Sequence, residues 1–372
     1  GPGISTRVFG AQWFVSVLAV LIAFVIGAIL IALSGASVLD AYYAMFRGSI
    51  VDPNAATFVR QIKPLTDSLF YSIPLIISGL GLALGFRAGL FNIGGKGQII
   101  VGALAAVWVG FAVNLPPVVH TLVALLVAVV AGGLYAGTAG VLKAKTGANE
   151  VIVTIMLNSI ATLGLGYTLT QKAWQVPGSN QPVTPKVADS AALTRLLPAP
   201  FKLHVGFIVA LVALAFFWWL IERSTLGFQI RAVGANPAAA RTAGISVERI
   251  TAITMVLSGA FLGLAGANEA LGTIGYVSRD VAGTVGFDAI TVALLGRNKT
   301  WGTFGAGLLF GAFKAGGYTM QAKGVPIDMI LILQSVIVLL IAAPALVRWL
   351  FRLPDVRALA AQTRKGNADE HK

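Results

Sequence analysis

Four polar residues, Glu150, Thr154, Asn158 and Thr162, recur at every fourth position of an otherwise apolar run. Each step of four turns about 40° around an α-helix, so these side chains describe one gentle spiral on a single face. A carboxylate, two hydroxyls and an amide in that arrangement offer hydrogen bonds but no nucleophile. They suit bonding between helices, or the wall of a hydrated path through a membrane.

Upstream, Gly85-Phe86-Arg87-Ala88-Gly89-Leu90-Phe91-Asn92-Ile93-Gly94-Gly95-Lys96-Gly97-Gln98 gathers glycines around two cations. A break of this kind leaves backbone groups unpaired at or near membrane depth, which is tolerated only where protein or a water-filled cavity satisfies them. A broken helix beside a path is one reading; an ordinary turn whose glycines allow tight packing is the other. Arg87 and Lys96 are expected to be topology anchors.

A third segment, Gly234-Ala235-Asn236-Pro237-Ala238-Ala239-Ala240-Arg241-Thr242-Ala243-Gly244-Ile245-Ser246, carries helix signals at both ends. Asn236-Pro237 starts a helix, Ala238 to Ala243 favours one and Gly244 stops it, giving about two turns between two apolar runs. So small a helix fits a docking knob, with Arg241 as its one charge. A solvated connector is the plainer reading.

Chemistry that is missing also narrows the field. The sequence has no cysteine and no G-x-x-x-x-G-K-[ST] or H-E-x-x-H pattern, and His120, His204 and His371 are scattered. No catalytic residue and no metal site are expected. Energy for any transport must come from elsewhere.

The elements that hold these residues follow from composition. Over 372 residues the chain is 57% hydrophobic and only 11% charged, with mean hydropathy +0.84, so much of its surface must meet lipid. Apolar runs of about 17 to 25 residues match the length of a spanning helix. Spans are expected near Trp13–Leu33, Ser68–Leu84 (kinked by Pro74), Ile99–Val113, Val118–Leu142, Val151–Leu169, Leu203–Leu220, Thr251–Ala267, Trp301–Tyr318 and Ile327–Leu350. A further segment, Phe287–Leu295, is too short to cross alone, so it is either re-entrant or part of a broken span. The fold class is thus all-α, a polytopic membrane protein of about ten helices including broken or re-entrant ones. The first apolar run is too long for a secretory signal.

The net charge of +13 lies in short loops between apolar runs, an orientation signal and not a nucleic-acid face. Placing each basic loop in the cytoplasm makes the spans alternate consistently, with both termini inside. One transmembrane domain over 1–372 is expected, with a cytoplasmic loop at 222–250 and a cytoplasmic tail at 351–372. The stretches Ala36–Pro64 and Gln171–Pro200 then fall outside. Gly307 and Gly311, extended by Thr303 and Ala315, should let their span pack closely on a neighbour. Lys314, Asn268, Glu269, Asp288 and Gln334 are polar residues in or beside spans, each weak evidence alone.

Three of these stretches together, Gly85 to Gly94 with Gly97-Gln98, Asn149 to Asn158, and Gly234 to Ile245, resemble the permease subunits of ABC importers. The resemblance is to the branch serving nucleosides and simple sugars, related to the branched-chain amino acid permeases, and it extends from the second span to the tail. The first two stretches look more like nucleoside permeases than sugar permeases. The resemblance implies a complex with an ABC ATPase subunit, a second and different permease chain, and an extracytoplasmic substrate-binding lipoprotein, all in a bacterial cytoplasmic membrane. ATP and magnesium would be bound by the ATPase, leaving this chain without cofactor.

By the same analogy Gly234, Ala235, Asn236, Pro237, Ala240, Arg241 and Gly244 form the coupling helix. Phe91, Asn92, Gln98, Glu150, Thr154, Asn158 and Thr162 would flank a translocation path worked by alternating access. A permease for a sugar such as ribose is the nearer alternative; an ion-coupled carrier working alone is the more distant one.

Overall fold

Hydrocarbon offers no partner to a backbone N–H or C=O, and the chain meets that constraint with helices. The computed structural model describes residues 12–322 and 324–342; among them the extended backbone pairs only as an isolated antiparallel bridge between Arg195 and His204. In chain order the helices are α1 (Gln12–Leu33), α2 (Val38–Ser49), α3 (Phe58–Arg87), α4 (Gly95–Ala112) and α5 (Val119–Thr146). Then come α6 (Glu150–Thr168), α7 (Gly206–Arg223), α8 (Thr225–Ala235), α9 (Pro237–Thr242) and α10 (Val247–Asn268). A π-helical turn, Glu269–Thr273, continues α10, and α11 (Val285–Leu295), α12 (Thr300–Gln321) and α13 (Ile327–Ala342) follow.

Six of these, α3 to α7 and α10 with its π turn, are long and apolar enough to cross a membrane, and shorter apolar helices accompany them. The molecule is a multi-pass membrane protein. α11, with 11 residues, rises only about 16 Å and is too short to cross alone, as its sequence implied. The tail expected over 351–372, both chain ends and the side chain of Gln334 lie outside the described residues.

Contacts divide the chain into two compact units, one of residues up to Gly48 with those from Gly316, the other Ser49–Ala315. In the first, α1 packs on α13, and the Tyr42 hydroxyl of α2 donates to the Phe24 carbonyl of α1. The second carries the polar motifs. At its centre α10 lies against α5, α4 and α3. Glycine makes that approach possible: a methyl at Gly259 or Gly263 of α10 would overlap the α5 backbone around Gly132. The small residues of α12 act as their spacing predicted, since a methyl at Gly307 would sit 2.5 Å from Ile76 and one at Gly311 would sit 2.6 Å from the Ser68 carbonyl, both on α3.

Two elements differ most from the sequence reading. The second span begins ten residues earlier than Ser68, at Phe58, and α3 runs as one helix of 30 residues through both Pro64 and Pro74. A proline inside a helix removes one backbone bond, and burial from Thr66 to Gly85 offsets that loss. The stretch Ala36–Pro64 therefore holds α2 and the first turns of α3. α8 was also missed within the loop read at 222–250. Ser224 caps it by accepting from the Gly227 N–H, and Gly227 lies so close to Leu220 and Ile221 of α7 that no side chain would fit.

Candidate functional site

The connection from α3 to α4 is built of residues 88–94. Gly89 takes φ +74°, a conformation that suits glycine, and Leu90 N–H closes the end of α3 on the Gly85 carbonyl at 2.9 Å. The chain then turns inward, and Asn92 is 1% exposed. Its amide nitrogen donates to Gln98 Oε1 and to Ser258 Oγ of α10, both at 2.9 Å. Its oxygen accepts from the Gly94 N–H and from Gln98 Nε2, again at 2.9 Å. Asn92 thus has partners on both sides of its amide and holds the break against α4 and α10.

The polar spiral of α6 meets the same break. Thr154 Oγ1 accepts from the Ile93 N–H at 3.2 Å. Asn158 accepts from the Gly97 N–H at 2.7 Å and donates to the Ile93 carbonyl at 2.8 Å. Glu150 Oε1 lies 3.4 Å from the Phe91 N–H, and its other oxygen pairs with Lys143 at 2.5 Å across the turn after α5. The backbone groups that the glycine-rich sequence leaves open are therefore bonded by one face of α6. Of the seven residues read as flanking a path, Asn92, Gln98, Glu150, Thr154 and Asn158 are buried in this network. Phe91 is 51% exposed and Thr162 is exposed, its hydroxyl donating to the Asn158 carbonyl. Ser258 and Lys143 were missed: a lone serine in an apolar helix carries no sequence signal, whereas Lys143 lies seven residues before Glu150 with Gly147, at φ +70°, ending the helix between them.

Neighbouring elements close the same end of the unit. Arg87 Nε donates to the Asn298 carbonyl at 2.7 Å, joining α3 to the turn before α12, and its guanidinium lies 4.0 Å from Glu222 of α7. Gly234, at the end of α8, contacts the Arg87 carbonyl so closely that any side chain would overlap it. α9 forms as its sequence predicts: Asn236 caps it by accepting from the Ala239 N–H at 3.1 Å, Pro237 is its first residue, and Gly244 follows at φ +84°. Ala240 is its buried residue, and Arg241 pairs with Glu248 of α10 at 2.7 Å, both side chains exposed. Between α8 and α9 runs a groove of about 560 Å³ lined by Phe228, Ala232, Asn236, Ala239, Ala243 and Ile245.

The model of the branched-chain amino acid transport system / permease component family matches residues 65–342, a span that includes all three motifs. The chain belongs to that permease family. Among curated relatives, this permease is similar to a guanosine ABC transporter permease protein of Bacillus subtilis, 40% identical over 90% of this chain and 94% of the relative. It is also similar to a glucose ABC transporter permease protein of Haloferax volcanii, at 35% identity over 87% and 85% of the two chains. A nucleoside ABC transporter permease protein of Lactococcus lactis is 29% identical over 93% and 94%. No solved structure matches it. Permease components carry a solute across without changing it, so the permease is not itself an enzyme.

Proposed function

We propose that the chain is the membrane subunit of an ATP-driven importer of nucleosides in the cytoplasmic membrane. Similarity to a guanosine permease along 94% of that relative's length carries this reading. The structure supports the mechanical part. The end of the unit that gathers Arg87, Lys143, Arg241 and Arg297 would face the cytoplasm, by the preference of short basic loops for that side. Both termini would then be inside, with about ten spans counting α11 as re-entrant.

In that orientation 222–250 is the cytoplasmic loop, α9 the coupling helix and the α8–α9 groove part of the seat for a separate ATPase subunit. ATP and magnesium belong to that subunit; this chain needs neither. A second permease chain and an extracytoplasmic binding lipoprotein complete the assembly. Phe91 and Thr162 face the solute path, while Asn92, Gln98, Glu150, Thr154 and Asn158 form the framework behind it. Closure of the ATPase pair would rock these elements between outward and inward openings.

A sugar is the second reading, favoured by the 35% identity to a glucose permease. Uptake into proteoliposomes holding the whole complex decides between them. Labelled guanosine should accumulate only with ATP and the ATPase, and excess unlabelled ribose or glucose should leave it unchanged. Competition by the sugar would favour the second reading. Uptake by this chain alone, driven by an ion gradient, would contradict both.

A further inference from the structure

The other end of the Ser49–Ala315 unit holds a buried polar cluster that neither the break nor α9 uses. The segment between α6 and α7 covers that end: the Leu193 N–H donates to the Leu271 carbonyl at 2.9 Å, and the Val187 N–H to the Gly275 carbonyl at 3.0 Å. Beneath it lie His204 and Asn268, each 1% exposed, and Glu269, 9% exposed. His204 Nδ1 accepts from the Gly206 N–H at 3.0 Å, so in the neutral ring the proton is on Nε2. That Nε2 has no partner, and neither does the oxygen of the Asn268 amide, whose nitrogen faces the Glu269 carboxylate. His120 contrasts with this, since both its ring nitrogens are bonded, to Ser190 and to the Val109 carbonyl.

The two orphaned groups lie on either side of Gly206. A methyl at Gly206 would overlap Asn268 Oδ1 and sit 2.5 Å from the imidazole, and one at Gly272 would sit 2.7 Å from His204 Nε2. Glu269 follows Asn268 directly, opening the π turn, and accepts from Thr273 at 3.2 Å. Gly272 and Thr273, beside the cluster, are half-buried. Burying an unpaired polar atom is destabilising, a penalty that Leu or Phe at these positions would avoid.

We propose that His204, Asn268 and Glu269 form a binding site for the vicinal hydroxyls of a ribose or similar sugar ring on the solute. The Lys314 ammonium of α12 offsets the Glu269 carboxylate, so the cluster favours a neutral group over a cation or an anion. A free ring N–H near a free amide oxygen pairs best with a group that both accepts and donates, which is a hydroxyl. Because the cluster lies at the end opposite the coupling helix, it would meet solute on entry. This inference rests on the nucleoside reading.

The test is uptake by the complete complex of a ribonucleoside and of its 2′,3′-dideoxy analogue, each saturating the binding protein. Asn268→Leu should lower ribonucleoside uptake about tenfold, as expected for a lost hydrogen bond of roughly 1.4 kcal/mol, and leave the analogue within about twofold. An equal fall for both solutes, the mark of a packing role, overturns the proposal. So does no fall in either, the result if water alone occupies the cluster. If Asn268→Leu fails to assemble, Asn268→Ser and His204→Phe are read by the same ratio. A wild-type complex that imports no ribonucleoside sinks the nucleoside reading, and this site with it.

Discussion

His204 and Asn158 show how differently two buried polar residues of this chain are used. Asn158 is bonded twice to the break, whereas His204 keeps one ring nitrogen without a partner, and burial pushes its pKa down from the usual 6.5 to about 4. The folded protein therefore holds this ring neutral where the unfolded chain would protonate it. Stability from this group is fully present above about pH 6.5 and is lost as pH falls toward about 4, a change of about 3 kcal/mol across that window. The melting temperature of the purified protein should drop between pH 6.5 and 4.5, and His204→Phe should flatten that drop. Equal slopes for wild type and variant would contradict the account. His204 was visible in the sequence only as one of three scattered histidines, because its burial comes from residues far along the chain, Phe70 and Gly272 among them.

Among the elements, α6 and the glycine-rich break form one unit. The break contributes open backbone groups and α6 contributes the side chains that bond them. Asn158→Leu leaves the Gly97 N–H and the Ile93 carbonyl without their partner, at about 1–3 kcal/mol each. The amount of folded complex recovered from membranes should fall several-fold, with transport per folded complex largely kept. Full assembly with lost transport would instead make Asn158 a wall of the path.

The periodicity of Glu150, Thr154 and Asn158 was legible because a four-residue repeat is a local pattern, but its partner was not, since Ile93 and Gly97 lie some sixty residues away. α9 was legible for the same reason: Asn236, Pro237 and Gly244 act within two turns. α2 and α8 were not, being short helices whose stability depends on the neighbours they pack against, with no long apolar run to mark them. The start of α3 was set too late because its first turns carry Arg60, Lys63 and Asp67 and break the apolar run.

At the scale of the molecule, polarity within the Ser49–Ala315 unit is sorted to two ends of an apolar bundle. One end carries Arg87, Lys143 and α9, where work from an ATPase would enter. The other carries the covering segment from Gln171 to Pro200 and the His204–Asn268 cluster, where solute would arrive. The central claim is that α9 faces the cytoplasm. Because the 372-residue sequence has no cysteine, single thiols in it report without background. Ala238→Cys on α9 and Asn180→Cys in the covering segment should be labelled with a membrane-impermeant maleimide in vesicles of both orientations. The account predicts that Ala238→Cys reacts only in inside-out vesicles and is shielded when the ATPase subunit is added, while Asn180→Cys reacts only in right-side-out vesicles. Labelling of Ala238→Cys from the outer face would contradict it.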